Sequence, residues 1–187
     1  MKATVITVFG SSAPLPSSPA YQLAYGLGRA IADAGWTLCN GGYGGTMEAA
    51  ARGAREAGGH TIGVTCSLFR VRGGPNRYIQ QEIPTFDLPT RLNTLVRLGH
   101  AYVVLPGGTG TLLELALVWE LLNKGLLRRA APLVLLGDHW VPLLELVRRE
   151  QPDAQEPRVA TTSAEVIAYI RQAQQAADKS EGAPPSP

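Results

Sequence analysis

A chain of 187 residues with 45% hydrophobic content can fill one core, and its strand and helix signals never pause long enough to suggest a second domain. A formal charge of +2, with dispersed basic residues and no stripe of arginine interleaved with aromatics, argues against nucleic acid as a partner. Cys39 and Cys66 share no CxxC spacing and no histidine cluster, which argues against a disulfide framework or a metal site and fits a reducing cytoplasm; no stretch is long enough to span a membrane, and Met1–Phe9 lacks the apolar core of a signal peptide.

Residues 3–9 alternate as a buried strand, Gly10-Ser11-Ser12 form a turn, and a Pro/Ser-rich loop leads to a helix from about Pro19 to Ala34. Trp36–Asn40 reads as a second strand, Gly41–Gly45 as a glycine turn, and Thr46–Ala57 as a helix closed by Gly58-Gly59. His60–Thr65 is a third strand, followed by a Gly/Arg loop over 66–77, a short strand within Tyr78–Phe86 and a helix opening near Pro89. Tyr102–Leu105 is the next strand and Leu112–Leu122 the next helix. A basic loop over Lys124–Ala131, a strand at Pro132–Leu136, a helix at Trp140–Glu150 and a last helix at Ser163–Ala177 complete the pattern. The segment from Asp178, ending Gly-Ala-Pro-Pro-Ser-Pro, has the composition of a disordered tail. Strands alternating with helices require right-handed crossovers, so the expectation is a single Rossmann-like α/β domain over 1–177: a doubly wound parallel sheet with helices on both faces.

In such a sheet ligands sit beyond the carboxyl ends of the strands, where Ser11, Gly41–Gly45 and Gly107–Gly110 all fall. The last of these belongs to Pro106-Gly107-Gly108-Thr109-Gly110-Thr111-Leu112-Leu113-Glu114, a strand exit, a glycine loop and a helix start. Glycines let the backbone approach an anion closely, and free N–H groups with the positive end of the helix dipole attract it without a lysine. A phosphorylated small molecule is the natural guest. A Walker loop would need Gly-Lys-Ser/Thr after the glycines, and a dinucleotide fingerprint would need glycine where Leu113 stands, so neither fits. The two turns Gly41–Glu48 and Gly107–Glu114 both read GGxGxxxE. Glu114 is either a capping-box acid, paired with Thr111 three residues earlier, or a working carboxylate; Glu48 suits a helix start favoured by the dipole. The helix after the second turn has Glu114 and Glu120 as its only charges, so it should be buried on more than one side, by the sheet and either by a partner subunit of a homodimer or higher homo-oligomer or within a single large core.

The stretch Pro106–Glu114 resembles the PGGxGTxxE hallmark of the Lonely Guy phosphoribohydrolases, often labelled lysine decarboxylases, and Arg91 stands fifteen residues before the proline as in that family. The likeness extends over about residues 3 to 140, through Gly10-Ser11-Ser12, Gly41, Gly42, Gly45 and Met47. It implies hydrolysis of the N-glycosidic bond of a nucleoside 5′-monophosphate of cytokinin or adenosine type, giving free base and ribose 5-phosphate. By that resemblance Glu114 and Arg91 would be catalytic, and Gly107, Gly108, Thr109, Gly110, Thr111, Ser11, Gly41, Gly42, Gly45 and Met47 would bind substrate and phosphate. No metal or organic cofactor would be needed. The decarboxylase label does not suit a chain whose lysines are Lys2, Lys124 and Lys179, at the start, in a basic loop and in the tail. The turn GGYGGTMEA with Arg91-x-Asn93 is similar to a sister branch that includes molybdenum cofactor carriers, which bind a phosphorylated pterin without turning it over. A carrier or sensor is therefore the alternative.

Overall fold

The computed structural model describes residues 4–69, 74–127 and 131–181. In chain order these form β1 (Val5–Phe9), α1 (Pro19–Asp33), β2 (Thr37–Asn40), α2 (Thr46–Glu56), β3 (Thr61–Cys66), β4 (Gln81–Thr85), α3 (Leu88–Leu98), β5 (Ala101–Val104), α4 (Thr109–Asn123), β6 (Leu133–Leu136), α5 (Val141–Glu150), β7 (Arg158–Ala160) and α6 (Ser163–Glu181). The strands make one parallel sheet in the order β4-β3-β2-β1-β5-β6-β7. This is the doubly wound arrangement that the alternation of elements predicts.

Because side chains alternate across a strand, each inner strand feeds two cores. Ile6, Val8, Leu38, Val103 and Val134 pack under α1, α2 and α6. Phe9, Cys39, Val64, Tyr102, Val104 and Leu135 pack under α3, α4 and α5. Local signals set where the helices start. Ser18 caps α1 by accepting from Tyr21 N–H at 3.3 Å, with Pro19 in the first turn. Asp87 caps α3 by accepting from Thr90 N–H at 2.8 Å, and hydrogen bonding from the Thr90 side chain and from this N–H holds its carboxyl below the usual range.

The structure departs from the sequence expectation in three places. Strand β7, paired from Val134↔Arg158 to Leu136↔Ala160, escapes a periodicity argument because three residues on a sheet edge carry no repeat. Helix α4 begins at Thr109 rather than Leu112, and α6 continues through Glu181 rather than ending at Ala177. Arg70 and Arg72 of the Gly/Arg loop, Arg128 and Arg129 of the basic loop, and the end of the tail lie outside the described residues. Among the described residues no helix is long and apolar enough to cross a membrane.

Candidate active site

Strands β1 and β5 are neighbours whose chains leave in opposite directions, β1 toward α1 on one face and β5 toward α4 on the other. Their divergence opens a crevice at the carboxyl edge of the sheet. A cavity of about 480 Å³ lies there, bordered by Gly10–Ser12 after β1, Tyr43 and Met47 after β2, Phe69 after β3, Leu88, Arg91 and Leu92 of α3, and Gly108–Thr111, Leu113 and Glu114 of the α4 start. A hollow of about 550 Å³ at the β7 edge is lined by Glu145, Arg148, Glu156 and Arg158 among others, and its Arg148–Glu156 pair is exposed to solvent. Neither glycine turn opens on it.

Arg91 and Glu114 meet on the wall of the first cavity. Arg91 Nη1 lies 3.3 Å from Glu114 Oε1, its Nε donates to the Val64 carbonyl at 2.9 Å, and the two residues are 6% and 8% exposed. The guanidinium carbon sits 5.7 Å from the Tyr43 ring centre and 5.5 Å from that of Phe69, so aromatic faces attract its charge as well. Burial pushes the Glu114 carboxyl up from its ordinary 4.5 to about 7, against the opposing pull of Arg91. A carboxyl with that value exchanges a proton readily near neutrality. The capping-box reading of Glu114 does not hold, because α4 starts early. Gly108 is the N-cap, Thr111 stands inside the first turn, and the Glu114 carboxylate is committed to Arg91. Glu48 lies in the first turn of α2, where the dipole reading placed it, and does not line the cavity; its charge is felt by Tyr21 of α1, whose hydroxyl pKa it helps raise after burial.

The residues expected at the site divide into those that face the cavity and those that shape it. Ser11, Met47, Gly108, Thr109, Gly110, Thr111, Arg91 and Glu114 line it. Among the described residues, the N–H groups of Gly108, Thr109, Gly110 and Thr111 donate to no protein acceptor, and the first bond of the helix is Leu112 N–H to Gly108 O at 2.9 Å. Gly41, Gly42, Gly45 and Gly107 do not line the cavity; in this structure they make room for the elements around it. A Cβ on Gly41 would overlap Arg91 Nη2, and one on Gly107 would overlap the Thr111 hydroxyl. Gly45, at φ 65°, lies against the Ser11 and Ser12 backbone, and Gly42 approaches Gly63.

Side-chain hydrogen bonds from Asn40, Asn76 and Tyr43 hold these loops. Asn40, fully buried at the end of β2, donates to Met47 O at 2.9 Å and accepts from Gly42 N–H at 2.8 Å, fixing both ends of the β2–α2 turn. Asn76 donates to Gly42 O and Tyr43 O at 3.0 and 2.8 Å. Tyr43 accepts from Cys66 N–H at 2.7 Å and so presents a fixed ring to the cavity. A buried Asn ending a strand before a glycine turn is the one of these that the sequence could have flagged, since such a side chain needs backbone partners. His100 accepts from Val5 N–H at 3.1 Å where β1 begins.

Residues 3–135 match the model of the SLOG cluster4 family. A cytokinin riboside 5′-monophosphate phosphoribohydrolase of Rhodococcoides fascians is 33% identical over 146 residues, 76% of this chain and 73% of that protein. One of the same name from Mycobacterium tuberculosis is 35% identical over 120 residues, so that 64% of this chain spans 63% of that relative. Among solved structures, the molybdenum cofactor carrier protein of Chlamydomonas reinhardtii superposes with a TM-score of 0.74 at 27% identity, over 93% of this chain and 99% of that one.

Proposed function

The chain belongs to the SLOG cluster4 family, and we propose that it hydrolyses the N-glycosidic bond of a nucleoside 5′-monophosphate to free base and ribose 5-phosphate. The observation that carries this reading is the buried Arg91–Glu114 pair on a cavity whose next wall is the open N-terminus of α4. The 5′-phosphate fits the N–H groups of Gly108–Thr111 with the Ser11 and Ser12 turn opposite. We infer that the sugar then lies over Glu114 and the base toward Tyr43, Met47 and Phe69.

As the C1′–N bond breaks, its electron pair leaves with the base and positive charge grows on the ribose. Glu114, a turn and a half into α4, faces that charge and stabilises it in a site of low dielectric. Water then adds its oxygen to C1′. The Glu114 carboxylate accepts one of its protons and gives it up in turn to the released base nitrogen, so water is divided between the two products and the carboxylate is restored. Arg91 is buried and bonded to Val64 O and to Glu114, and we assign it to aligning the carboxylate more than to gripping substrate. None of these steps calls for a metal or an organic cofactor.

The relatives named as phosphoribohydrolases support the reaction class, and the adenosine and cytokinin monophosphates are the substrates we propose. We also propose a homodimer. Leu112 and Leu113 of α4 are 37% and 43% exposed in the single chain, beside the cavity mouth, and a second copy would cover them. Free, buried Cys39 and Cys66 fit the reducing cytoplasm we propose as its compartment.

The likeness to molybdenum cofactor carriers over nearly the whole of both chains supports a second reading, a carrier of a phosphorylated ligand. Release of ribose 5-phosphate from adenosine and isopentenyladenosine monophosphates by wild type and Glu114→Gln separates the two. Hydrolysis that falls at least about 10²-fold in the variant supports the enzyme; no turnover by wild type, with a phosphorylated ligand still bound, overturns it in favour of the carrier.

A further inference from the structure

The turn between β6 and α5 braces the glycine loop of the cavity from behind. Two consecutive side chains of that turn reach the segment that leaves β5: Trp140 Nε1 donates to Leu105 O at 3.0 Å, and His139 Nε2 lies 3.3 Å from Gly107 O. The two rings meet edge-on with centres 4.7 Å apart, so the buried indole supports the imidazole. A carbonyl oxygen only accepts, so His139 Nε2 carries the proton of this contact. His139 does not line the cavity. Whatever it does there, it does through the Gly107–Gly108 peptide.

A trans peptide points its C=O and its N–H in opposite directions. With the Gly107 oxygen turned toward His139, the Gly108 N–H is turned the other way; Gly108 lines the cavity, and among the described residues this N–H donates to no protein acceptor. Flanked by two glycines, this peptide meets little steric resistance to rotation. Rotated, it would aim an oxygen at a bound anion in place of a donor. We propose that His139 is a positioning residue for phosphate binding: its hydrogen bond to Gly107 O holds the Gly107–Gly108 peptide with the N–H toward the anion. This rests on the reading that the start of α4 receives the 5′-phosphate.

The test uses the full chain with His139→Phe, which keeps a ring but no donor, and His139→Gln, which keeps a donor. Binding of inorganic phosphate and of ribose 5-phosphate is measured by calorimetry, KM and kcat for adenosine monophosphate are determined, and melting temperature is recorded alongside. The expected result is affinity for both anions about tenfold weaker in His139→Phe, carried in KM and not in kcat, and mostly restored in His139→Gln, with little change in melting temperature. Wild-type affinity in His139→Phe overturns the proposal, as does a His139→Gln variant as weak as His139→Phe, since packing and not donation would then be at work. Failure of the wild type to bind either anion overturns it too. A wild type that binds both anions through His139 yet releases no base would sink the hydrolase reading alone.

Discussion

Glu114→Gln should widen its stability advantage over the wild type as pH rises. The wild-type carboxyl is shifted from 4.5 to about 7, chiefly by burial. The folded value lies above the unfolded one, so between them the native state holds a proton that the unfolded chain has already released. Stability therefore falls as pH climbs from about 4.5 and levels off above about 7. That interval, at about 1.4 kcal/mol for each pH unit, comes to about 3 kcal/mol. The side chain is only one-tenth exposed, so solvent screening removes little of this, while relaxation around the charged pair removes some; about 2 kcal/mol between pH 5 and 8 is the expected loss. Glutamine keeps the shape of the neutral acid and does not titrate. The attraction of Arg91 for the ionised carboxylate is already contained in the value of about 7, so the slope of the difference and not its level is the readout. Denaturant unfolding of both proteins at pH 5, 6, 7 and 8 gives the two curves. Parallel curves, within about 0.5 kcal/mol over that range, would refute the assignment of a buried carboxyl with a raised pKa at this position.

Other perturbations test separate parts of the site. Because Glu114 works as a carboxylate in the proposed hydrolysis, kcat/KM should rise about tenfold per pH unit below pH 7 and flatten above it; a level profile from pH 5.5 to 8 would remove Glu114 from the role of base. Gly41→Ala places a methyl group against Arg91 Nη2 and the Met47 sulfur, so hydrolysis should drop to the level of Arg91→Ala and stability by about 1–3 kcal/mol, whereas full activity would mean that the guanidinium needs no such fixed place. Gly26→Ala, in the middle of α1 with nothing within 4 Å of the added methyl, should raise stability by about 0.5–1 kcal/mol and leave hydrolysis alone, a contrast that thermal unfolding and the same assay report together. Leu113→Glu should convert the proposed dimer to monomer in light scattering; an unchanged mass would place any subunit contact elsewhere.

The alternation of apolar runs with glycine turns was enough to read the sheet and its crevice, since each inner strand is buried on both faces and leaves that mark in composition. What stayed illegible depends on contacts distant along the chain. Nothing near Asn76 or His139 says that one will hold Gly42 and Tyr43 and the other Gly107, because each partner lies more than thirty residues away. The packing of the glycines was hidden for a related reason. A glycine that lets a backbone approach a ligand and one that makes room for an arginine from another helix look alike in sequence. Only the packed structure separates Gly108, which faces the cavity, from Gly41, which lies beneath Arg91.

The twin GGxGxxxE turns carry this furthest. Their acids occupy the same place in the pattern but different places in their helices. The fifth position is Gly45 in one and Thr111 in the other. Gly45 at φ 65° cannot begin a right-handed helix, so α2 waits until Thr46 and Glu48 falls in its first turn, beside Tyr21. Thr111 takes helical geometry with ease, so α4 is already under way from Thr109, and Glu114 arrives a turn and a half in, where the free N–H groups are behind it. At that depth it shares the inner face with Thr111, Leu115 and Val118, is drawn under the sheet edge and meets Arg91 from α3. One residue's tolerance for positive φ thus decides whether the acid three places along becomes a dipole partner at a helix end or a buried carboxyl with a raised pKa. Thr111→Gly should loosen the start of α4 and expose Glu114. The acidic limb of the pH–rate profile should then move down from about 7 toward the ordinary 4.5, and a limb that stays put would show that burial of Glu114 does not depend on where the helix begins.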